Sequence, residues 1–397
     1  MTLKPREDSA KELTVPLELT PTDAARYRLR SQRLTPRTDD ESSPSELLSS
    51  VCGVQAQEKR AAALGVRARS RTLTEADLER ALYEDRSVVR TWCMRGTLHL
   101  VATADLPLLL SLFGETFASR GPEPKRLEAM GLGDTDIDRA MEQIRTALGE
   151  DGPLTREELA TRLQRGGVDV DPSSQAPYFL VRRAALLGIA CEVAPKEGQM
   201  AYDLLDEWVS VDESPDRQTA LVDLARRYLR AFQPASVDDF AAWSGLYVRD
   251  VKLAWGLVAD ETTEVVVDGR DAAMLTEDLE AYESAMESRA ESTVEAADRV
   301  RLLPGYDSLL LGYEKEARPI PRGYESQVWP GSGIIRPTLV ADGEVTGTWR
   351  LDRARATTAV VVDPFERLAP ELEAPLRDEV EAIGEFFDTD VELRFAD

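Results

Sequence analysis

Histidine is almost absent from this 397-residue chain, with His99 the only one. A two-histidine metal site is therefore impossible, and any Ser-His-Asp machinery would have to run through that one ring. Cysteine is nearly as scarce. Cys52, Cys93 and Cys191 form neither a CxxC pair nor a disulfide framework, which fits a reducing compartment. No apolar run approaches the ~20 residues that span a bilayer, and the leader Met-Thr-Leu-Lys-Pro-Arg-Glu lacks the apolar stretch of a signal peptide. A cytoplasmic protein with no membrane attachment, no metal and no other cofactor is expected. It is expected to be a monomer, since no sustained heptad pattern is present.

Lysine is rare in another sense. Only seven of the 48 basic residues are Lys, so Arg, whose planar fork suits phosphate, makes up nearly all the positive charge. Against these stand 73 acidic residues, for a net charge of −25. The distribution is uneven: residues 24–100 hold 14 basic and 10 acidic side chains, a local surplus of +4 that leaves −29 on the rest. Acidic density peaks at 258–300 and after Asp363. Such a surface repels nucleic acid at low salt and suits a protein working in concentrated salt. A hydrophobic content of 43% with 24 Gly and 22 Pro is enough to bury the cores of two or three domains.

Local signals place the elements. Thr20 before Pro21 reads as the N-cap of a helix running to Arg33, Ser43-Pro44 starts a second helix to about Val54, and Thr74 with Asp77 caps a third. The β-branched and aromatic stretch Val88 to Val101, broken at Gly96, reads as a hairpin, completing a winged-helix pattern. The order returns twice. Thr155 with Glu158 caps a helix ending at Gly166, Gln175 to Leu187 forms a second, and strands around Ile189–Val193 and Met200–Leu205 form a wing. A helix at 216–232 then precedes a capped start at Ser236-Val-Asp-Asp239, a turn at Gly245, a helix near 248–258 and a strand at Glu264–Arg270. An acidic helix is expected at 275–298, followed by β texture with a hairpin at Asp342-Gly343, a helix around 370–387 and a closing strand at Val391–Phe395. The expected fold is mainly α with β-hairpin wings: three tandem winged-helix units plus a small C-terminal β-domain. Boundaries fall at 18–150, including appended helices, then 151–212, 213–300 and 301–397.

Few residues carry candidate chemistry. Gln55 and Gln57 follow the second helix, beside Lys59 and Arg60, and on composition alone are exposed polar side chains. In an extended stretch an i, i+2 pair projects to one side, so both amides can address one water or one nucleotide. Arg90 and Arg95 flank Trp92 on the hairpin, where either could meet phosphate. His99 on the same hairpin is a phosphate or base contact, or a half-buried strand residue satisfied by a neighbour. The series Arg26, Arg28, Arg30, Arg33 and Arg37 reads first as a solvated helix face, although its sign opposes the rest of the chain. Leu106 to Phe113 is too short to cross a membrane and reads as core.

Several blocks together resemble one family. Leu64-Gly after Gln55-Ala-Gln57, then Val89-Arg-Thr-Trp-Cys-Met-Arg-Gly-Thr-Leu-His-Leu-Val101, Ala231-Phe-Gln-Pro-Ala-Ser-Val-Asp-Asp-Phe-Ala-Ala-Trp-Ser-Gly245, Leu302-Leu-Pro-Gly-Tyr-Asp307 and Val345-Thr-Gly-Thr-Trp-Arg350 are similar to blocks of the AlkZ-like DNA glycosylases. The resemblance covers roughly residues 20 to 395. It implies tandem winged helices with a C-terminal β-domain, double-stranded DNA carrying alkylated purines as partner, and excision of N7-alkylated purines, including unhooking of interstrand crosslinks. The family's Gln-x-Gln motif falls on Gln55 and Gln57, which become the candidate catalytic residues. Lys59, Arg60, Arg90, Arg95 and His99 become candidate DNA contacts. A neutral amide cannot act as a general base, but it can fix a water at the anomeric carbon, and a purine already carrying positive charge leaves readily. A monofunctional, metal-free hydrolase is expected. Two other readings stand beside it: a non-catalytic winged-helix DNA-binding or regulatory protein, and an interaction scaffold that the acidity would suit.

Overall fold

A computed structural model describes residues 17–37, 42–210, 213–279, 299–353 and 358–396. The chain enters through a short strand, β1 (Leu17–Leu19), and helix α1 (Pro21–Ser31), which Thr20 caps through the Asp23 N–H. Then comes a helix–strand–helix–helix–hairpin series: α2 (Pro44–Ser50), β2 (Val54–Gln55), α3 (Lys59–Arg67), α4 (Glu75–Tyr83), β3 (Val88–Trp92) and β4 (Leu98–Ala102). Its sheet has the order β2-β4-β3. After α5 (Leu106–Ala118) and α6 (Glu123–Ala129), the same series recurs as α7 (Asp134–Asp151), β5 (Leu154–Thr155), α8 (Arg156–Arg165), α9 (Ala176–Leu186), β6 (Ala190–Lys196) and β7 (Gln199–Leu204), with sheet order β5-β7-β6. The helix α7 packs on α8, α9 and β7.

A one-turn helix, α10 (Leu205–Trp208), leads to a third series of α11 (Arg217–Phe232), α12 (Val237–Ser244), α13 (Val248–Leu257), β8 (Thr262–Val267) and β9 (Arg270–Leu275). Here the short strand shrinks to a single bridge, Ala235 to Ala273, and the far edge of β8 is taken by β1 in parallel. A five-stranded sheet closes the chain: β10 (Val300–Leu303), β11 (Thr338–Ala341), β12 (Glu344–Asp352), β13 (Thr358–Pro364) and β14 (Val391–Phe395), the last parallel to β13 and linked to it by the helix Glu373–Phe386. The described residues thus hold four sheets among their helices, a mixed α/β fold. No described helix is long and apolar enough to cross a membrane.

Local signals hold where the physics is local. The capping boxes at Thr74/Asp77, Thr155/Glu158 and Ser236/Asp239 all form, Gly245 ends α12 in the left-handed conformation, and the run Leu106–Phe113 is largely core. The helix begun at Pro44 stops at Ser50, not near Val54. Cys52 and Gly53 turn to positive φ and release Val54-Gln55 into a strand against β4, so long-range pairing overrides the helix. The chain then re-forms a helix at Lys59–Arg67, a stretch with no capping side chain to announce it. The acidic helix expected at 275–298 is helical over 276–279, and the remainder lies outside the described residues.

The segments are joined by buried charge. Arg28 of α1 donates to the Pro234 carbonyl from Nε and Nη2 at 3.0 and 2.9 Å and lies 4.0 Å above the Tyr313 ring. Arg37 is equally buried, so these two arginines are not part of a solvated face. The α3 helix is fastened at its C-terminal end. Arg67 pairs with Glu379 at 2.8 Å, and Glu379 also meets Arg37 at 2.9 Å and Arg301 at 3.6 Å. Two residues on, Arg69 makes a two-pronged pair with Asp307 at 2.8 and 2.9 Å. Burial by itself would raise the Glu379 pKa, but Arg67, Arg301 and Arg37 outweigh it and bring the carboxyl from 4.5 to about 2.

Because that folded value is depressed, the stabilisation from Glu379 is complete above the unfolded value near 4.5 and is lost as pH falls towards about 2. Replacing Glu379 by Gln leaves three buried guanidinium groups without their carboxylate, and a loss of roughly 3–5 kcal/mol is expected. Urea unfolding at neutral pH measures it. A loss below ~1 kcal/mol would show that the cluster is not needed to join the helix to the sheet.

Candidate functional site

The Gln55-Ala56-Gln57 segment runs from β2 towards the N-terminus of α3 and is gripped on both sides. On one side Gln55 pairs with His99 in the sheet, and the Ala56 N–H donates to the Leu98 carbonyl at 2.7 Å. On the other, Arg90 donates from Nε to the Ala56 carbonyl at 2.8 Å and from Nη2 to the Gln57 carbonyl at 3.4 Å. The Ala56 methyl is fully buried, in the same apolar cluster as Leu47, Val54, Val66 and Leu100. This anchoring turns the two glutamines towards each other.

Their environments differ. Gln57 is exposed, whereas Gln55 is only 8% accessible, a correction to the reading of both as surface residues. Gln55 Nε2 donates to Gln57 Oε1 at 2.7 Å, and Gln55 Oε1 accepts from Arg95 Nη2 at 2.9 Å, with the Thr97 hydroxyl at 3.4 Å. The Gln57 NH2 group has no partner among the described residues. The arrangement holds one exposed neutral amide in a fixed orientation over a buried one, which can bind a polar atom or a water but cannot take up a proton.

The expected cationic contacts fall into two groups. Lys59 and Arg60 lie at the start of α3 near the surface. Lys59 pairs with Glu192 of β6 at 2.6 Å and approaches the Tyr83 hydroxyl at 3.4 Å. Partial burial lowers its pKa, but the hydrogen bond and charge of Glu192, helped by Tyr83, prevail and hold the amine protonated above its ordinary range. The Arg60 guanidinium lies 4.0 Å above the Phe387 ring.

Arg90, Arg95 and His99 point inward. Arg90 is 5% exposed and forms a buried ion pair with Glu192, while Arg95 donates to Gln55 and to the Trp243 carbonyl. His99 is 2% exposed, with Nδ1 3.0 Å from the Thr97 carbonyl; since a carbonyl only accepts, the ring proton sits on Nδ1. None of these three presents its charge to a phosphate in this conformation. The helix α1, with Arg26 and Arg30, packs instead against α11 and the Asp342-Gly343 turn.

Sequence reasoning missed Glu192, Thr97 and the Trp243 carbonyl. A strand glutamate and a backbone oxygen give no local signal; only the packing of β3 against β6 brings Glu192 to the motif. Among the described residues no cluster of three or more His, Cys, Asp or Glu is arranged to hold a metal ion.

Comparison with known proteins agrees across most of the chain. The profile of the family described as DNA glycosylase AlkZ-like matches residues 48–386. An interstrand DNA cross-link repair glycosylase of Streptomyces sahachiroi is 30% identical over 349 residues, 85% of this chain and 89% of that protein. The solved structure of Streptomyces sahachiroi DNA glycosylase AlkZ superposes with a TM-score of 0.77 at 27% identity, covering 96% of this chain and all of that one.

The single histidine offers a clean check of the site's interior. Burial, then the nearby Arg95 charge, lower the His99 pKa from 6.5 to about 3, against a partial rise from the Thr97 carbonyl. The unfolded chain therefore binds this proton first, and stability declines as pH falls from 6.5 towards 3. In a histidine-labelled sample the one set of ring NMR signals is expected to stay constant from pH 8 to 5. A midpoint near 6.5 would mean that His99 is open to solvent.

Proposed function

The chain belongs to the AlkZ-like DNA glycosylase family, and we propose that it hydrolyses the N-glycosidic bond of N7-alkylated purines in double-stranded DNA and unhooks interstrand crosslinks formed through them. The observation that carries this is the oriented amide pair, Gln55 Nε2 to Gln57 Oε1 at 2.7 Å, on the residues where the family's Gln-x-Gln motif falls. The crosslink substrate is proposed from the 30% identical relative, an interstrand DNA cross-link repair glycosylase.

In this mechanism Gln57 is the catalytic residue and Gln55 positions it. The exposed Gln57 amide holds a water opposite the purine. Water oxygen bonds to C1′ as the C1′–N9 bond breaks, the bond's electron pair neutralises the cationic base, and the surplus proton passes to solvent. No carboxylate is required, because the leaving group carries the activating charge before reaction; what the protein supplies is position and an oriented dipole beside an oxocarbenium-like centre. Lys59 and Arg60 are the cations placed to meet DNA, and Arg90 and His99 hold the motif from within.

The recurring element order supports reading the scaffold as three tandem winged helices at 18–150, 151–212 and 213–300, with the β-domain at 301–397.

A duplex with one N7-alkylguanine tests the reading. Wild type is expected to leave abasic sites, and Gln57→Ala to lose about 100-fold or more in excision rate while changing stability by less than ~0.5 kcal/mol. Full excision by Gln57→Ala would overturn the assignment. For Lys59, the pairing with Glu192 keeps the amine protonated, so borohydride reduction during turnover is expected to trap no enzyme–DNA adduct. A trapped adduct lost in Lys59→Ala would replace hydrolysis by an imine route.

A further inference from the structure

The tip of the β3–β4 hairpin has an unusual backbone. Arg95 takes φ 55°, ψ 11° and Gly96 follows at φ 68°, two successive left-handed residues that fold the Arg95 side chain back over the sheet. The tip is enclosed by the other repeats: Arg182 of α9 donates to the Gly96 carbonyl at 3.1 Å, and a Cβ on Gly245 would come within 3.0 Å of Arg95 Cα. The guanidinium joins two distant atoms, Gln55 Oε1 and the carbonyl of Trp243 on α12. That bond to Trp243 is internal to the protein, so the charge is committed before any DNA arrives.

A guanidinium has donors and no acceptor. The atom of Gln55 that faces it must be oxygen; the Gln55 NH2 must then face Gln57, and the atom of Gln57 that meets it must be oxygen as well. Turning either amide over would set two donors against each other in a partly buried place. The sense of the whole chain, and with it the group that Gln57 presents outward, is fixed at its inner end.

We propose that Arg95 is a positioning residue that sets the polarity of the Gln55–Gln57 amide chain, and that its second bond, to the Trp243 carbonyl, ties that polarity to the seating of the third repeat on the hairpin. The inference rests on the reading of Gln57 as the water-binding residue. It gives Arg95 a role in the excision step rather than a role in holding phosphate.

Arg95→Lys and Gln55→Glu, with Gln57→Ala in parallel, test this on the N7-alkylguanine duplex. Single-turnover rates are measured at saturating enzyme and dissociation constants over a salt series. Lysine keeps the charge but loses the two-armed geometry. The expected result is a rate about 10- to 100-fold lower, with the dissociation constant and its salt slope unchanged. Gln55→Glu keeps a buried partner for Arg95, so the fold is expected to survive. Its carboxylate has no donor for Gln57 Oε1, so the chain must reverse, and the rate is expected to fall at least as far. A purely structural Arg95 would tolerate that carboxylate with its rate intact.

A weaker dissociation constant and a salt slope reduced by about one for Arg95→Lys, with the saturated rate kept, would make Arg95 a phosphate contact and overturn the proposal. Should Arg95→Lys not fold, Gln55→Glu alone decides. If Gln57→Ala excises like wild type, the catalytic reading fails and this one with it; if Gln57→Ala is inactive while the other two match wild type, the polarity inference alone fails.

Discussion

A buried guanidinium must find a partner, and six of them shape this protein. Arg28, Arg37, Arg67, Arg69, Arg90 and Arg301 are each at most 8% exposed. An unpaired charge in such a place costs several kcal/mol, so each dictates where a carboxylate or carbonyl far along the chain must sit. Arg28 fixes α1 to the turn after α11, Arg67 and Arg69 fix α3 to the helix Glu373–Phe386 and to the segment after β10, and Arg90 fixes the first hairpin to the second through Glu192. Since a well-packed apolar core would be about as stable, what these pairs contribute is register. They define one way of closing three repeats around the strand that bears the glutamines.

This use of arginine explains a misleading feature of the sequence. The +4 surplus of residues 24–100 suggests a basic face, but five of its fourteen basic side chains, Arg28, Arg37, Arg67, Arg69 and Arg90, lie inside. Nothing local in the sequence separates an arginine that points inward from one that points to phosphate, because the difference is made by partners such as Glu379 and Asp307, more than 200 residues away. The same blindness hid the parallel pairing of β1 with β8 and the place of Glu192 beside the motif.

What was legible was local or periodic. Capping boxes spend their hydrogen bonds within four residues, so Thr155 with Glu158 and Ser236 with Asp239 announce their helices without tertiary context. The turn at Asp342-Gly343 needs two residues at positive φ, and both sit there, at 50° and 94°. The Gln55/Gln57 pair was legible as an i, i+2 motif, but its division into a buried and an exposed member was not. That depends on β2 pairing with β4, which ends the preceding helix four residues early.

The acidity bears on the chemistry as well as on binding. Among the described residues the buried acidic and basic side chains nearly balance, seven against six, so almost all of their excess negative charge lies on the surface. That field opposes approach to phosphate and is weakened by salt. At the proposed lesion its sign is reversed in effect: the alkylated purine is a cation, and so is the sugar centre that forms as the base departs. The protein's long-range charge therefore favours that positive charge before and during bond cleavage, while the amide pair itself is neutral and has the Arg95 guanidinium 2.9 Å from Gln55. Affinity for the duplex and stabilisation of the reacting centre thus place opposite demands on the protein's charge, and the composition favours the second.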